Sequence, residues 1–417
     1  MTIAKRTYSP SGLWLLFLTI LMGTGAVAGI LVLIQGLSLT NLTDLVPWGL
    51  WITIDLSAIA LSAGAFLLSA GVYILKLEAY KPVAKTAVYI GLLGYTIALI
   101  TLLVDIGRPD RFWHSLVFWN PHSVLWEVTM CITLYLTVLL LESLPIFGEA
   151  DWFKSRWPRM SERLHGLHKL TPVLAVVGLG LSLLHQSSLG ATYGVMIAHP
   201  IWYRPGISVL FLISAAAAGP AMTVLATMLA GRLSRKAFVR DDLLEPVARF
   251  VGWVLLGYLY FRFWDTFAMT YTHEPGRAEA LEVLTTGQFA FNFWIGEILL
   301  GAVVPCVLLL TPKFRQNRLL RMAALALVVG GLVAYRWDTN LIGQVVMAAN
   351  LPGGITTLYT TYSPSLIEYL VGIGVIAYGL MGFTMGVKYL RVVDHSAAPV
   401  RKSSPGSSSP HRAGWSI

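Results

Sequence analysis

The 417-residue chain is 56% hydrophobic and only 12% charged, with a mean hydropathy of +0.68. A soluble domain carries about 25% charged residues, so this composition excludes a water-soluble fold and makes lipid the solvent. The net charge of +9 does not indicate nucleic acid, because the basic residues lie between apolar runs, where membrane topology accounts for them.

Apolar runs of spanning length occur at 13–36, 50–75, 83–105, 122–144, 170–190, 207–230, 246–270, 290–310, 318–336 and 364–390. The first is long enough to persist as a helix rather than serve as a cleaved signal. Even-numbered loops carry clusters such as Lys76, Lys81 and Lys85, or Arg232, Arg235, Lys236 and Arg240, whereas odd loops are nearly bare. The positive-inside rule therefore places both termini in the cytoplasm. Residues 1–394 read as one transmembrane unit, and the Ser/Pro-rich 395–417 as a disordered cytoplasmic tail. The expected fold is all-α and polytopic: two four-helix bundles with one extra helix at each end. Leu-Gly-Tyr at 93–95 and 256–258, and Trp126-Glu127 echoed by Trp294 and Glu297, read either as a faint repeat of two four-helix units or as chance similarity between apolar segments.

Charges inside a bilayer are costly and usually functional. Span two carries Asp55, about 12 Å below Pro47. Span three ends on Asp105-Ile106-Gly107-Arg108, and Glu127 lies about 9 Å below the outer start of span four. Span five ends on His185-Gln186-Ser187-Ser188, and span seven on Arg262 and Asp265. Glu297 opens span eight, Arg336 and Asp338 close span nine, and Glu368 opens span ten. All fall at one level near the outer face. For several there is a plainer account: Arg262 and Asp265 neutralise each other, Arg336 and Asp338 face interfacial water, and Glu297 and Glu368 are solvated helix ends. Asp55 and Glu127 are deeper and lack an adjacent cation. Trp48, Trp51, Trp113, Trp119 and Trp126 read mainly as an interfacial belt.

Cys131 and Cys306 are too isolated for a disulfide framework, a zinc site or an iron–sulfur cluster. His185 is the one histidine clearly within a span near the cluster, whereas a transmembrane di-haem protein needs four axial ligands. No haem, iron–sulfur cluster or metal site is therefore expected in this chain. Two further classes stay open: an ion-coupled transporter, whose carboxylates belong at the midplane, and a purely structural anchor. Below Asp55, Ser62 and Ser69 continue at seven-residue spacing toward Tyr73, and span four offers Thr129, Thr133 and Tyr135. These are stepping stones for protons, or small hydroxyl residues at helix contacts.

Pro47-Trp48-Gly49-Leu50-Trp51, Asp105-Ile106-Gly107-Arg108, Asn120 through Glu127, and His185 through Gly190 together resemble the NrfD-like membrane subunits of the polysulfide reductase family. The resemblance is to its ten-helix branch, with the HybB-type hydrogenase subunits and the quinone reductase subunits of sulfate reducers. It implies a multi-pass subunit of a bacterial inner-membrane respiratory complex that exchanges electrons with the quinone pool, menaquinone favoured. The implied partners are an extracytoplasmic four-cluster iron–sulfur protein and further redox subunits of molybdopterin or multihaem type. On this reading His185 bonds a quinone carbonyl with help from Gln186. Asp105 orients His185, Arg108 fixes Asp105, and Glu127 and Asp55 pass protons. Trp48, Trp51, Arg262, Asp265 and Asp338 complete the candidate quinone-binding set.

Overall fold

The computed structural model describes residues 11–234 and 240–394; the tail expected to be disordered and the basic residues Arg235 and Lys236 lie outside them. Among the described residues ten helices are long and apolar enough to cross a membrane. They are α1 (Gly12–Gln35), α2 (Leu50–Ile74), α3 (Lys81–Asp105), α4 (Val124–Gly148) and α5 (Thr171–Gly194). The second half holds α6 (Gly206–Ser234), α7 (Asp241–Tyr271), α8 (Asn292–Leu310), α9 (Arg318–Val345) and α10 (Leu366–Met385). Side chains satisfy the orphan amides at several starts: Ser11 and Ser123 accept from Trp14 N and Trp126 N, and Ser365 with Glu368 forms a capping box.

Helices α2–α5 pack as one four-helix unit and α6–α9 as a second, joined chiefly through α2 against α6 and α5 against α6. The two flanking helices, α1 and α10, pair with each other and lie against α2 and α3. Glycine permits the central crossing. A Cβ on Gly64 would lie 1.8 Å from Ala215 O, and one on Gly219 2.1 Å from Ala65 N. Backbone therefore meets backbone where α2 crosses α6, the small-residue mode of membrane helix packing.

Three elements depart from the sequence expectation. Helix α9 runs nine residues past 336, to Val345. Helix α8 is wound with i→i+5 hydrogen bonds over Asn292–Val303, a form that often accompanies function. Between α9 and α10 an antiparallel hairpin pairs β1 (Val346–Leu351) with β2 (Gly354–Tyr359) in the register Val346↔Tyr359. Below, "outer" denotes the end of the bundle that the loop charges assign to the outside.

Candidate functional site

The start of α2 is held by amides from α9. Gln344 accepts from Trp48 N (3.0 Å) and donates to Trp48 O (2.8 Å), as a strand partner would. Asn340 Nδ2 donates to Trp48 O, Gly49 O and Thr53 Oγ1 at 2.9–3.2 Å, and its Oδ1 accepts from Tyr193 OH at 3.0 Å. Trp48 stacks on Trp202, and Tyr193 meets both rings edge-on. Trp51 is fully buried and donates to Glu368 O at 3.0 Å. These two tryptophans are core anchors rather than belt residues, whereas Trp113 and Trp119 are exposed.

Below this clamp the first bundle encloses protonatable groups without partners. Asp55, on α2, is buried, and its Oδ1 has no hydrogen-bond partner. Asp105, closing α3, is in the same condition. His185 on α5 is wholly enclosed, and neither ring nitrogen is bonded. Tyr95, on α3, packs beside it: the Tyr95 ring is 6.0 Å from that of His185 and 5.0 Å from that of Tyr135. Both phenol hydroxyls are buried; that of Tyr95 is unpartnered, and that of Tyr135 lies beside the hydroxyls of Ser62 and Ser182. A buried polar group left unbonded costs about 1–3 kcal/mol, so such an accumulation signals a role other than stability.

The string continues inward. Ser62 donates to Gly91 O (2.6 Å), Ser182 donates to Ala63 O (3.1 Å), and the Ser69 hydroxyl is buried and unpartnered. Near the inner end Glu142, on α4, is buried with both carboxylate oxygens unbonded. It lines a polar cleft of about 850 Å³ with Tyr73, Lys85, Glu149 and His165. Glu142 was not singled out from the sequence, which placed the intramembrane chemistry at the outer face. Thr129 and Thr133 fall out of the route, because their hydroxyls bond backbone carbonyls one turn back on the exposed face of α4.

In the second bundle Arg262, Asp265 and Glu297 are paired. Arg262 donates to both oxygens of Glu297, at 2.7 and 3.2 Å, and Tyr258 OH donates to Glu297 Oε1 at 2.7 Å. Asp265 is held chiefly by Arg204 (2.8 Å), with a longer 3.3 Å contact to Arg262. Arg262 and Asp265 are thus members of a larger network rather than a self-contained pair. Asp338 accepts from Asn292 Nδ2 at 2.7 Å. Arg336 is fully buried against the Phe211 ring and donates to Phe211 O, Ser214 Oγ and Gln186 Oε1. Among the described residues it is the buried arginine that pairs with no carboxylate.

Several sequence expectations are corrected by this geometry. Arg336 and Asp338 do not face water, because α9 continues past them, and Glu297 and Glu368 are 1% exposed rather than solvated ends. Arg108 does not fix Asp105: it is exposed and pairs with Asp110 at 3.0 Å. Asp105 does not hydrogen-bond His185, whose ring faces the bundle interior. Glu127 is half-buried in the first turn of α4, shallower than its spacing from Pro121 implied. Outside the spans, His199 Nδ1–H donates to Gly343 O (2.5 Å) and the ring packs on Trp202. Burial holds its pKa below the ordinary value. Tyr362 OH donates to Glu368 Oε2 (3.1 Å) and accepts from Leu50 N (2.8 Å). Burial is the main cause that pushes its phenol upward. Neither residue had a sequence signal, since both sit in loops.

Comparison with known proteins matches residues 38–348 to the family described as polysulphide reductase, NrfD. The chain is 32% identical over 398 residues to the menaquinone reductase integral membrane subunit of Nitratidesulfovibrio vulgaris, covering 94% of each protein. It is 26% identical to a selenate reductase subunit of Mesobacillus selenatarsenatis, over 86% of this chain and 89% of that one. It is 25% identical to a polysulfide reductase subunit of Wolinella succinogenes, over 72% and 95%. With ten helices of spanning length among the described residues and a family match across most of its length, this chain belongs to the NrfD, polysulphide reductase family of multi-pass membrane subunits.

Proposed function

We propose that this chain exchanges electrons between an extracytoplasmic iron–sulfur partner and the quinone pool of a bacterial inner membrane, with quinone reduction the favoured direction. The observation that carries this reading is the contrast between the bundles. Charges in α6–α9 are largely paired, whereas Asp55, Tyr95, Asp105 and His185 in α2–α5 are buried without partners. Such groups suit proton transfer. Reducing a quinone consumes two electrons, which the partner supplies, and two protons, which this chain must deliver. The name of the Nitratidesulfovibrio relative supports menaquinone as the substrate.

In this reading Asp55 and Asp105 hold protons at the outer end of α2 and α3. His185 acts with Tyr95 inside the bundle, and it serves a quinone oxygen directly only if Tyr95 and its neighbours move aside. Arg336, held by Gln186, places an uncompensated positive charge at the seam between bundles, where it offsets negative charge as protons are withdrawn. The Ser62, Ser69 and Glu142 string supports proton supply from the inner cleft.

The test is quinone-linked turnover of His185→Ala and Asp55→Asn in the intact complex. Both variants are expected to lose most turnover while assembly is kept. Native rates in both would remove the proton-delivery reading and favour a structural anchor.

A further inference from the structure

On the side of α2 opposite Asp55 lies a separate, almost wholly apolar groove of about 630 Å³. Its walls come from α1, α2, α3, α6, α9 and α10. Thr53, Ile54, Ser57 and Leu61 of α2 face it, while Asp55, Ser62 and Ser69 turn toward α3 and α5. The floor is closed: Ala58, Ile90 and Ala226 are each at most 6% exposed. The rim is open to lipid along α10, where Tyr369, Ile376 and Leu380 are exposed.

The length of the groove selects its occupant. Along α10 and the helical turn that continues it to Leu390 it runs from Tyr369 to Val387, 18 residues and about 27 Å at helical rise. That is nearly the whole ~30 Å hydrocarbon core. An acyl tail of a phospholipid anchored at one face reaches about half that depth, so one phospholipid leaves half of the groove unfilled. A polyprenyl tail can follow it across both leaflets. The outer end adjoins the clamped start of α2, through Leu50 and Thr53, and Tyr369 next to Glu368. At the inner end Trp14 Nε1 donates to Thr384 Oγ1 at 3.3 Å, tying α1 to α10 beneath the groove. The outer end is the one that lies beside the clamp of Asn340 and Gln344 and one helix width from Asp55, across α2.

We infer that this groove holds the polyprenyl tail of the quinone, directing its ring to the outer start of α2. The inference rests on the quinone function proposed above, but its test separates the two. The complex purified from its native membrane is labelled with a quinone carrying a photoreactive diazirine at the tail terminus, and separately with a diazirine-acyl phospholipid. The quinone probe is expected to label Met222, Leu229 or Phe383, in the inner half of the groove. Unlabelled long-tail quinone should displace it, and quinone lacking the tail should not. Labelling of those residues by the phospholipid alone, or quinone labelling confined to the outer surface, overturns the inference. Turnover supplies the second arm. Ala226→Phe, which fills the floor, should raise KM for long-tail quinone about tenfold, a loss of one decade in affinity, and leave the tail-less quinone within about twofold. Ile376→Trp on the lipid-exposed rim serves if the first variant fails to assemble. Equal effects on both quinones refute the tail groove. A native complex that turns over neither quinone refutes the proposed function, while the labelling still decides the groove.

Discussion

Replacing Glu142 by Gln removes one titratable group at the inner end of the buried string and preserves its shape. Tyr73, which lines the same cleft, is 18 residues from Asp55 on α2, about 27 Å along the helix. A proton drawn from the inner cleft and delivered to Asp55 therefore crosses nearly the full ~30 Å core. Moving one charge through the membrane potential involves about 2.3 kcal/mol per 100 mV, an equilibrium factor of about 50 for each proton. The whole complex is sealed into vesicles, electrons are supplied from outside, and a voltage dye is followed during quinone turnover. The native complex should generate a potential and slow against an imposed one. Glu142→Gln should lower turnover several-fold and reduce the charge moved per quinone. Tight vesicles that show native turnover without a potential would refute inner proton supply, and native charge movement by Glu142→Gln would remove this residue from the route.

Four further outcomes are expected. His185→Ala should leave thermal stability near native while abolishing most quinone turnover, and unchanged turnover with unchanged quinone affinity would make it a packing residue. Glu297→Gln leaves Arg262 buried with its main ion pair removed and should destabilise the detergent-solubilised chain by about 3–5 kcal/mol; an unfolding midpoint equal to native would refute this. The isolated chain should show no haem or iron–sulfur absorption and retain extractable quinone, because Cys131 and Cys306 are single buried thiols in different helices and His185 is the one suitably placed histidine within a span; a stoichiometric Soret band would refute it. Finally, His199 has its folded pKa lowered by burial, so its contribution to stability is present above its unfolded value of about 6.5. That contribution is lost as pH falls below this value, because the unfolded state takes up the proton first. Thermal unfolding of His199→Gln between pH 5 and 7 should therefore be less pH-dependent than native, and identical slopes would refute the assignment.

Hydropathy located all ten spans because lipid solvation demands long apolar runs, and that demand does not depend on tertiary contacts. It failed where polar residues face protein rather than water. Residues 337–345 contain Asp338, Thr339, Asn340 and Gln344, which read as a loop, yet their side chains are buried and bond α2, α5 and α8. The same blindness turned Arg336 and Asp338 into interfacial residues. Asp55, Asp105 and His185 were visible as rare intramembrane polar groups. Their surroundings were not, since Tyr95 and Tyr135 look like ordinary aromatic residues until the fold brings the rings together. The partners of Arg108 and Asp105 were misassigned because sequence adjacency stood in for distance, and the turn at Gly107, with φ +70°, sends the two side chains apart.

The glycine crossing of α2 and α6 bears on how the halves of the molecule move. Transporters that alternate access rock one bundle against the other, which requires a seam of side chains able to slide or re-pack. At Gly64 and Gly219 the seam is main chain on main chain, with no space for even a methyl group. Any rocking would have to pivot on this point and shear the amide clamp of Asn340 and Gln344 at the start of α2. The crossing therefore acts as a weld that holds the two bundles to each other as a fixed frame.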